Sequence, residues 1–165
     1  MKYKEDILKI KIDGKDYIIP CVSINKEDLT INKIIIANIM NFAHGIVYIS
    51  NSIGITITNL KLQKLLSEVQ IFYKRNDIEI FNDKPSLWRH GLVYPEVYDY
   101  YKTYFNEHIG VWDEDCLNKL NDEDLIVIEG LIIEYKDLDS WGMVRNNLEK
   151  IRNGYFNLIM GKAEE

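Results

Sequence analysis

Three histidines, two cysteines and two runs of carboxylates are the side chains of this sequence with the chemistry of bases, nucleophiles or metal ligands. His44 stands inside an apolar stretch and reads as a core histidine with its hydrogen bonds satisfied. His90 stands in Trp88-Arg89-His90-Gly91, a dense group of polar and aromatic residues. It serves there either as a functional contact or as the hydrogen bond that holds a turn. His108 is placed at a helix end, where a cation is mildly favoured. An acid–base enzyme would have its best pair in His90 and Glu96. Cys21 and Cys116 lie far apart, with no CxxC or Cys/His spacing that suggests zinc. Asp113-Glu114-Asp115 and Asp122-Glu123-Asp124 invite a calcium loop. Counted from Asp113, however, the fifth and sixth positions are Leu117 and Asn118, where such a loop needs an oxygen ligand and a glycine. Helix capping explains these acids better. No nucleophile elbow, HExxH motif or glycine-rich phosphate loop occurs. The expectation is a chain that is not an enzyme and takes no cofactor or metal.

Recognition chemistry is better represented. The chain has eleven tyrosines and three tryptophans. Tyr94, Tyr98, Tyr100, Tyr101 and Tyr104 fall in one short segment. Consecutive Tyr100 and Tyr101 cannot both face a core, so some of these rings are exposed or line a groove. Exposed aromatic rings bury much area with few rotors to freeze and are favoured anchors at protein interfaces. Amphipathic packing with the hydroxyls in water is the competing reading.

Charge narrows the partners. The formal net charge is −6, and residues 81–165 hold 9 Lys/Arg against 17 Asp/Glu, a balance of −8. Such a surface repels phosphate backbones, and no basic recognition helix is visible, so no nucleic-acid partner is expected. It suits a basic protein partner, or serves only as a solubilising surface. The opening MKYKEDILKIKIDGKD lacks the apolar core of a secretory signal. The apolar stretches near 34–49 and 125–133 are too short or too polar to span a bilayer. The expected location is cytoplasmic, with no membrane partner.

The elements that must position these residues are mostly helices. Leu8, Ile10 and Ile12 alternate with Lys9 and Lys11, Asp13-Gly14 supplies a turn, and Tyr17–Ile19 returns, so 7–22 reads as a hairpin that Pro20 ends or edges. A lone hairpin is marginal in water and must pack on helices or a partner. Residues 31–49 read as a central buried helix, in which Gly45 admits another backbone. Residues 59–75 read as a second helix capped by Thr58, with Leu62, Leu65, Leu66, Val69, Phe72 and Tyr73 inward and Lys61, Lys64 and Glu68 outward. Ile78–Phe81 alternates like a short strand. Pro95 opens a helix that Val97, Tyr98, Tyr101, Tyr104 and Phe105 carry on. Asn121 caps another, with Leu125, Ile128, Leu131, Ile132 and Tyr135 inward and three acids in its first turn. A last helix over about 139–160 places Trp141, Val144, Leu148, Ile151, Tyr155 and Leu158 at heptad-like spacing. The predicted fold is mainly α: a compact helical bundle with a small N-terminal β-hairpin and a short β element near residues 78–94.

Two segments carry a resemblance. Thr58-Asn59-Leu60-Lys61-Leu62-Gln63-Lys64-Leu65-Leu66 is similar to the LT-x-LKLQKLLYY helix of the Panacea domain family, which includes SocA-type antitoxins and phage-associated GepA-like proteins; Gln70 also falls where that family often places Gln. Trp88-Arg89-His90-Gly91-Leu92-Val93-Tyr94-Pro95-Glu96-Val97-Tyr98 resembles its AW-x-x-GPVVPEVY segment. The likeness spans roughly 33–145. It departs at Leu92, where the family has Pro, at Ser67, where it has Tyr, and near the C-terminus, where the family's Thr-His and Pro-Trp are missing and Trp141 is a loose substitute. The resemblance implies a 1–30 hairpin extension followed by a 31–165 helical Panacea-like domain. It also implies an antitoxin that neutralises a toxin from an adjacent gene by direct binding, or delivers it to a protease. The alternative is a phage- or mobile-element-associated interaction protein with a host partner or a copy of itself, a homo-oligomer. The residues carried over as motif positions are Trp88, Gly91, Pro95, Glu96 and Tyr98. His90 and Tyr101 join them as candidate contacts from the residue reading. Whether these positions touch a partner or shape the fold stays open at this point.

Overall fold

The computed structural model describes residues 3–12, 15–24 and 37–154. It is mostly helical. Strands β1 (Tyr3–Ile12) and β2 (Lys15–Ile24) form an antiparallel pair in which Leu8 lies opposite Ile19 and Ile10 opposite Tyr17. The pairing extends beyond the 7–22 read from the alternation. The turn at Asp13-Gly14 lies outside the described residues.

Helix α1 (Ile39–Ser52) is the central element, with ten of its residues buried, Phe42, Ile46 and Ile49 among them. It starts later than the apolar pattern suggests. Asn38 is extended and its side chain accepts the Met40 N–H at 2.9 Å, the arrangement that stops a helix from running further back. Residues 31–36 lie outside the described ones. Gly45 meets side chains rather than a second backbone: a Cβ there would lie 2.5 Å from Leu120 Cδ1 and 3.0 Å from Ile128 Cδ1.

Helix α2 (Asn59–Arg75) has the expected bounds and the expected Thr58 cap, whose hydroxyl accepts the Lys61 N–H at 3.2 Å. Its outer face does not exist as predicted. Lys61, Lys64 and Glu68 are 4%, 1% and 5% exposed, because other elements close over every side of the helix from 61 to 70. Ile78–Phe81 forms no strand and makes only a single bridge at Glu79, with Ile80 C=O accepting the Ala37 N–H. The β element lies further on: β3 (Ser86–Trp88) pairs with β4 (Gly91–Val93), Trp88 opposite Gly91.

Helix α3 (Pro95–Tyr101) starts on the expected proline and tightens into a 3₁₀ turn over Lys102–Tyr104. His108 lies in the loop beyond it, not at a helix end. Helix α4 (Glu114–Leu117) is a single turn capped by Asp113. Helix α5 (Asp122–Glu134) opens on a capping box, Asn121 accepting from Asp124 N–H while Asp124 accepts from Asn121 N–H, so Asp124 is a capping group, while Asp122 and Glu123 lie in the first turn. Helix α6 (Ser140–Arg152) ends before the predicted 160, with Gly154 at φ 91°; Tyr155 and Leu158 lie outside the described residues. Its buried face is Met143, Val144 and Asn147. Trp141, expected inward, is 53% exposed.

The core is one cluster shared by α1, α2, α3 and α5, with Met143 of α6 closing one side. No helix among the described residues is long and apolar enough to cross a membrane.

Candidate interaction site

The two motif segments meet in space, and the polar residues of α2 join them. Gln63 Oε1 accepts the Tyr94 N–H at 2.8 Å, and Gln63 Nε2 donates to Asn59 Oδ1 at 2.9 Å. Asn59 Nδ2 in turn donates to Tyr98 C=O at 3.0 Å. Lys64 Nζ donates to Leu92 C=O at 2.8 Å. Tyr94 hydroxyl donates to Gln70 Oε1 at 2.5 Å, and Gln70 Nε2 donates to Asp83 C=O at 2.9 Å. From the other side Asn147 Oδ1 accepts the Leu92 N–H at 2.8 Å while its Nδ2 donates to Ser67 Oγ at 3.1 Å. A short hairpin cannot satisfy its own backbone on both edges, and buried amides must find partners. Here α2 and α6 supply them as side chains.

Three charged side chains of α2 are buried here. Lys64 touches no anion among the described residues, so burial pulls its ammonium down to about 8. Lys61 Nζ donates to Leu138 C=O at 2.8 Å and is pulled down by burial, against the raising effect of Asp139 and Asp137. Glu68, by contrast, is matched: its Oε2 accepts from Lys150 Nζ at 2.5 Å and from the Tyr135 hydroxyl at 3.1 Å. That contact ties α2, α5 and α6 together.

Gly91 shows why the hairpin needs a glycine. Its φ is 102°, and an added Cβ would collide with Asn147 Oδ1 and lie 3.3 Å from Lys64 Nζ. Backbone conformation and close approach thus impose the same residue.

The lattice holds a tip of exposed rings. Trp88 is 43% exposed and packs edge-on against Tyr98, ring centroids 5.1 Å apart. Leu87 beside it is 53% exposed. His90, in the turn, packs against Trp141 of α6 at 4.9 Å. The predicted positions therefore divide. Trp88, His90 and Tyr98 share this tip, Gly91 lies beneath it, and Pro95 and Glu96 are exposed at the start of α3. Tyr101 turns inward, 1% exposed, with its hydroxyl 2.8 Å from His44 Nδ1. His44 is a core histidine, as expected, and burial lowers its pKa against the raising effect of Asp113. His90 and Glu96 share no hydrogen bond or ion pair, so the acid–base pair considered above is not assembled. A cavity of about 20 Å³ is lined by Gln70, Lys74, Ile78, Glu79, Phe81, Asn82 and Lys84, room for about one water.

Sequence reading missed the part played by Gln63, Lys64 and Asn147. A lysine and an asparagine on helices carry no periodic signal of burial. The usable sign was the repetition of polar residues in Lys61-Leu62-Gln63-Lys64 within a motif shared with the hairpin segment. No protein-family model matches the chain, and neither a curated protein nor a solved structure matches it.

Proposed function

We propose that this chain is an antitoxin-like module of the Panacea type that acts in the cytoplasm, neutralising a partner toxin by direct binding and without catalysis of its own. One observation carries the reading. Exposed Leu87 and Trp88 lie on β3, paired with a β4 whose Leu92, and Tyr94 just beyond it, are held by Lys64, Asn147 and Gln63, and exposed Trp141 packs on His90 of the same hairpin. Rings held in place before binding lose little entropy on association, and interface energy concentrates in such anchors. The two segments that resemble the family are the same two that interlock here, which supports the resemblance from a physical direction. The acidic balance of the second half favours a basic partner.

The experiment is co-expression with the product of the adjacent gene. The reading expects that product to arrest growth alone, to be relieved by this chain, and to co-purify with it. A harmless neighbour that does not bind would sink it. Binding without toxicity would leave the alternative, an interaction protein of a phage or mobile element. Self-association seen by light scattering, with no bound neighbour, would point to a copy of the chain as partner.

A further inference from the structure

A second surface lies apart from the Trp88 tip. Where Tyr101 turns into the core, neighbouring Tyr100 is 55% exposed; past the 3₁₀ turn, Phe105 is 80% and Val111 63% exposed. Phe105 has φ 53° and ψ −119°, and Glu107 N–H closes back on Tyr104 C=O at 2.9 Å. That is the first central position of a type II′ turn, which glycine occupies without steric cost and a phenylalanine does not. The fold thus gains neither burial nor backbone ease from this side chain. Strain held at an exposed apolar residue is a sign that the residue is used outside the fold.

The loop that carries it is firmly held. Ile109 N–H donates to Ile57 C=O at 2.8 Å, and Asn51 Nδ2 donates to Ile109 C=O at 2.9 Å. His108 Nδ1 accepts the Ile57 N–H at 3.0 Å, and His44 Nδ1 accepts the Asp113 N–H at 3.0 Å. Tyr100 stands beside the far end of this loop: its ring meets edge-on, at 5.1 Å, the same His44 ring that accepts the Asp113 N–H, two residues past Val111. A partner would therefore meet a loop whose backbone is already in position.

The surrounding charge selects that partner. From Asp99 to Asp115 the exposed charges are Asp99, Glu107, Asp113, Glu114 and Asp115 against Lys102 alone. Such a frame repels phosphates and anionic lipid and attracts ammonium and guanidinium groups. We propose that Tyr100, Phe105 and Val111, within this acidic frame, form a docking surface for a protein segment that carries lysine or arginine around an apolar anchor. The anchor covers Phe105 and Val111 while its cations meet the carboxylates. This surface does not depend on the Trp88 tip, so the chain presents two faces to protein.

The test uses the full chain, isotopically labelled for NMR, and two helical peptides of about 18 residues sharing one leucine pattern. One carries lysine at its polar positions and the other glutamate. The lysine peptide should bind, shift the amide signals of Tyr100, Phe105 and Val111, and weaken as salt rises. In the double variant Phe105→Gly/Val111→Ser, whose glycine suits the turn, affinity should fall about tenfold or more; in Trp88→Ala it should not change. The proposal is overturned if the lysine peptide does not bind, if the glutamate peptide binds as well, if the shifts map to Trp88, or if the double variant binds like the parent.

Discussion

At the scale of single residues, Lys64 and Gly91 carry the most physical information. Lys64 is a cation held away from water with one carbonyl and, among the described residues, no anion as neighbour. Its folded pKa, about 8 against an ordinary value of 10.5, means that the folded state binds fewer protons than the unfolded state in between. Stability therefore rises with pH from about 8 toward 10, by at most about 3 kcal/mol. Above pH 10 the buried hydroxyls of Tyr94, Tyr101 and Tyr135, all raised by burial, act in the opposite direction. Denaturant titrations at pH 8, 9 and 10 should show the rise in the parent chain and a smaller rise in Lys64→Met, where Lys61, also lowered by burial, still contributes. A parent that is flat across this window would contradict the burial of a charged lysine. Gly91→Ala places a side chain at φ 102° against Asn147 and should cost about 2 kcal/mol, read as a lower denaturation midpoint. An unchanged midpoint would show that the hairpin does not close as described.

At the scale of elements, the interlock of the β3–β4 hairpin with α2 and α6 is the organising feature. Asn147→Ala leaves the buried Leu92 N–H without its acceptor and should destabilise by about 1–3 kcal/mol, whereas Asn153→Ala, past the end of α6 and exposed, should change stability little; equal effects would refute the interlock. The loop past α3 has its own dependence on pH. His44 accepts the Asp113 N–H only when neutral, and burial lowers its pKa below the ordinary value. As pH falls below about 6.5 the unfolded state takes up a proton that the folded state resists, so stability falls with it. In His44→Gln, which keeps an acceptor and does not titrate, the loss between pH 7 and pH 5 should shrink; an identical loss would place the effect elsewhere. The elements themselves were readable where a local device defines them: Thr58, Asn121 and Pro95 mark helix starts by their own chemistry. What the pattern of apolar residues could not convey was tertiary cover. Lys61, Lys64 and Glu68 look solvent-facing in one dimension and are buried by a hairpin and a helix far along the chain. Trp141 looks like core by spacing, yet Asn147 takes the inner position because the hairpin backbone needs a polar partner there. The candidate site was half legible. Trp88, His90 and Tyr98 were placed together by their motif, while Tyr101, four residues past Val97 on the buried side of α3, belongs to the core.

At the scale of the whole molecule, a helical body with a hydrogen-bonded polar seam holds one aromatic tip in place, and our account makes that tip the grip on a protein partner. Calorimetric titration of the adjacent gene's product tests this most directly, with the parent chain compared to Trp88→Ala/Trp141→Ala. Both rings are about half exposed and pack on Tyr98 and His90, so their removal should lower the unfolding midpoint modestly and leave the chain folded at the temperature of the titration. The account predicts binding by the parent and a loss of about 100-fold or more in the double variant. Equal affinity in the two, with both chains folded, would contradict it.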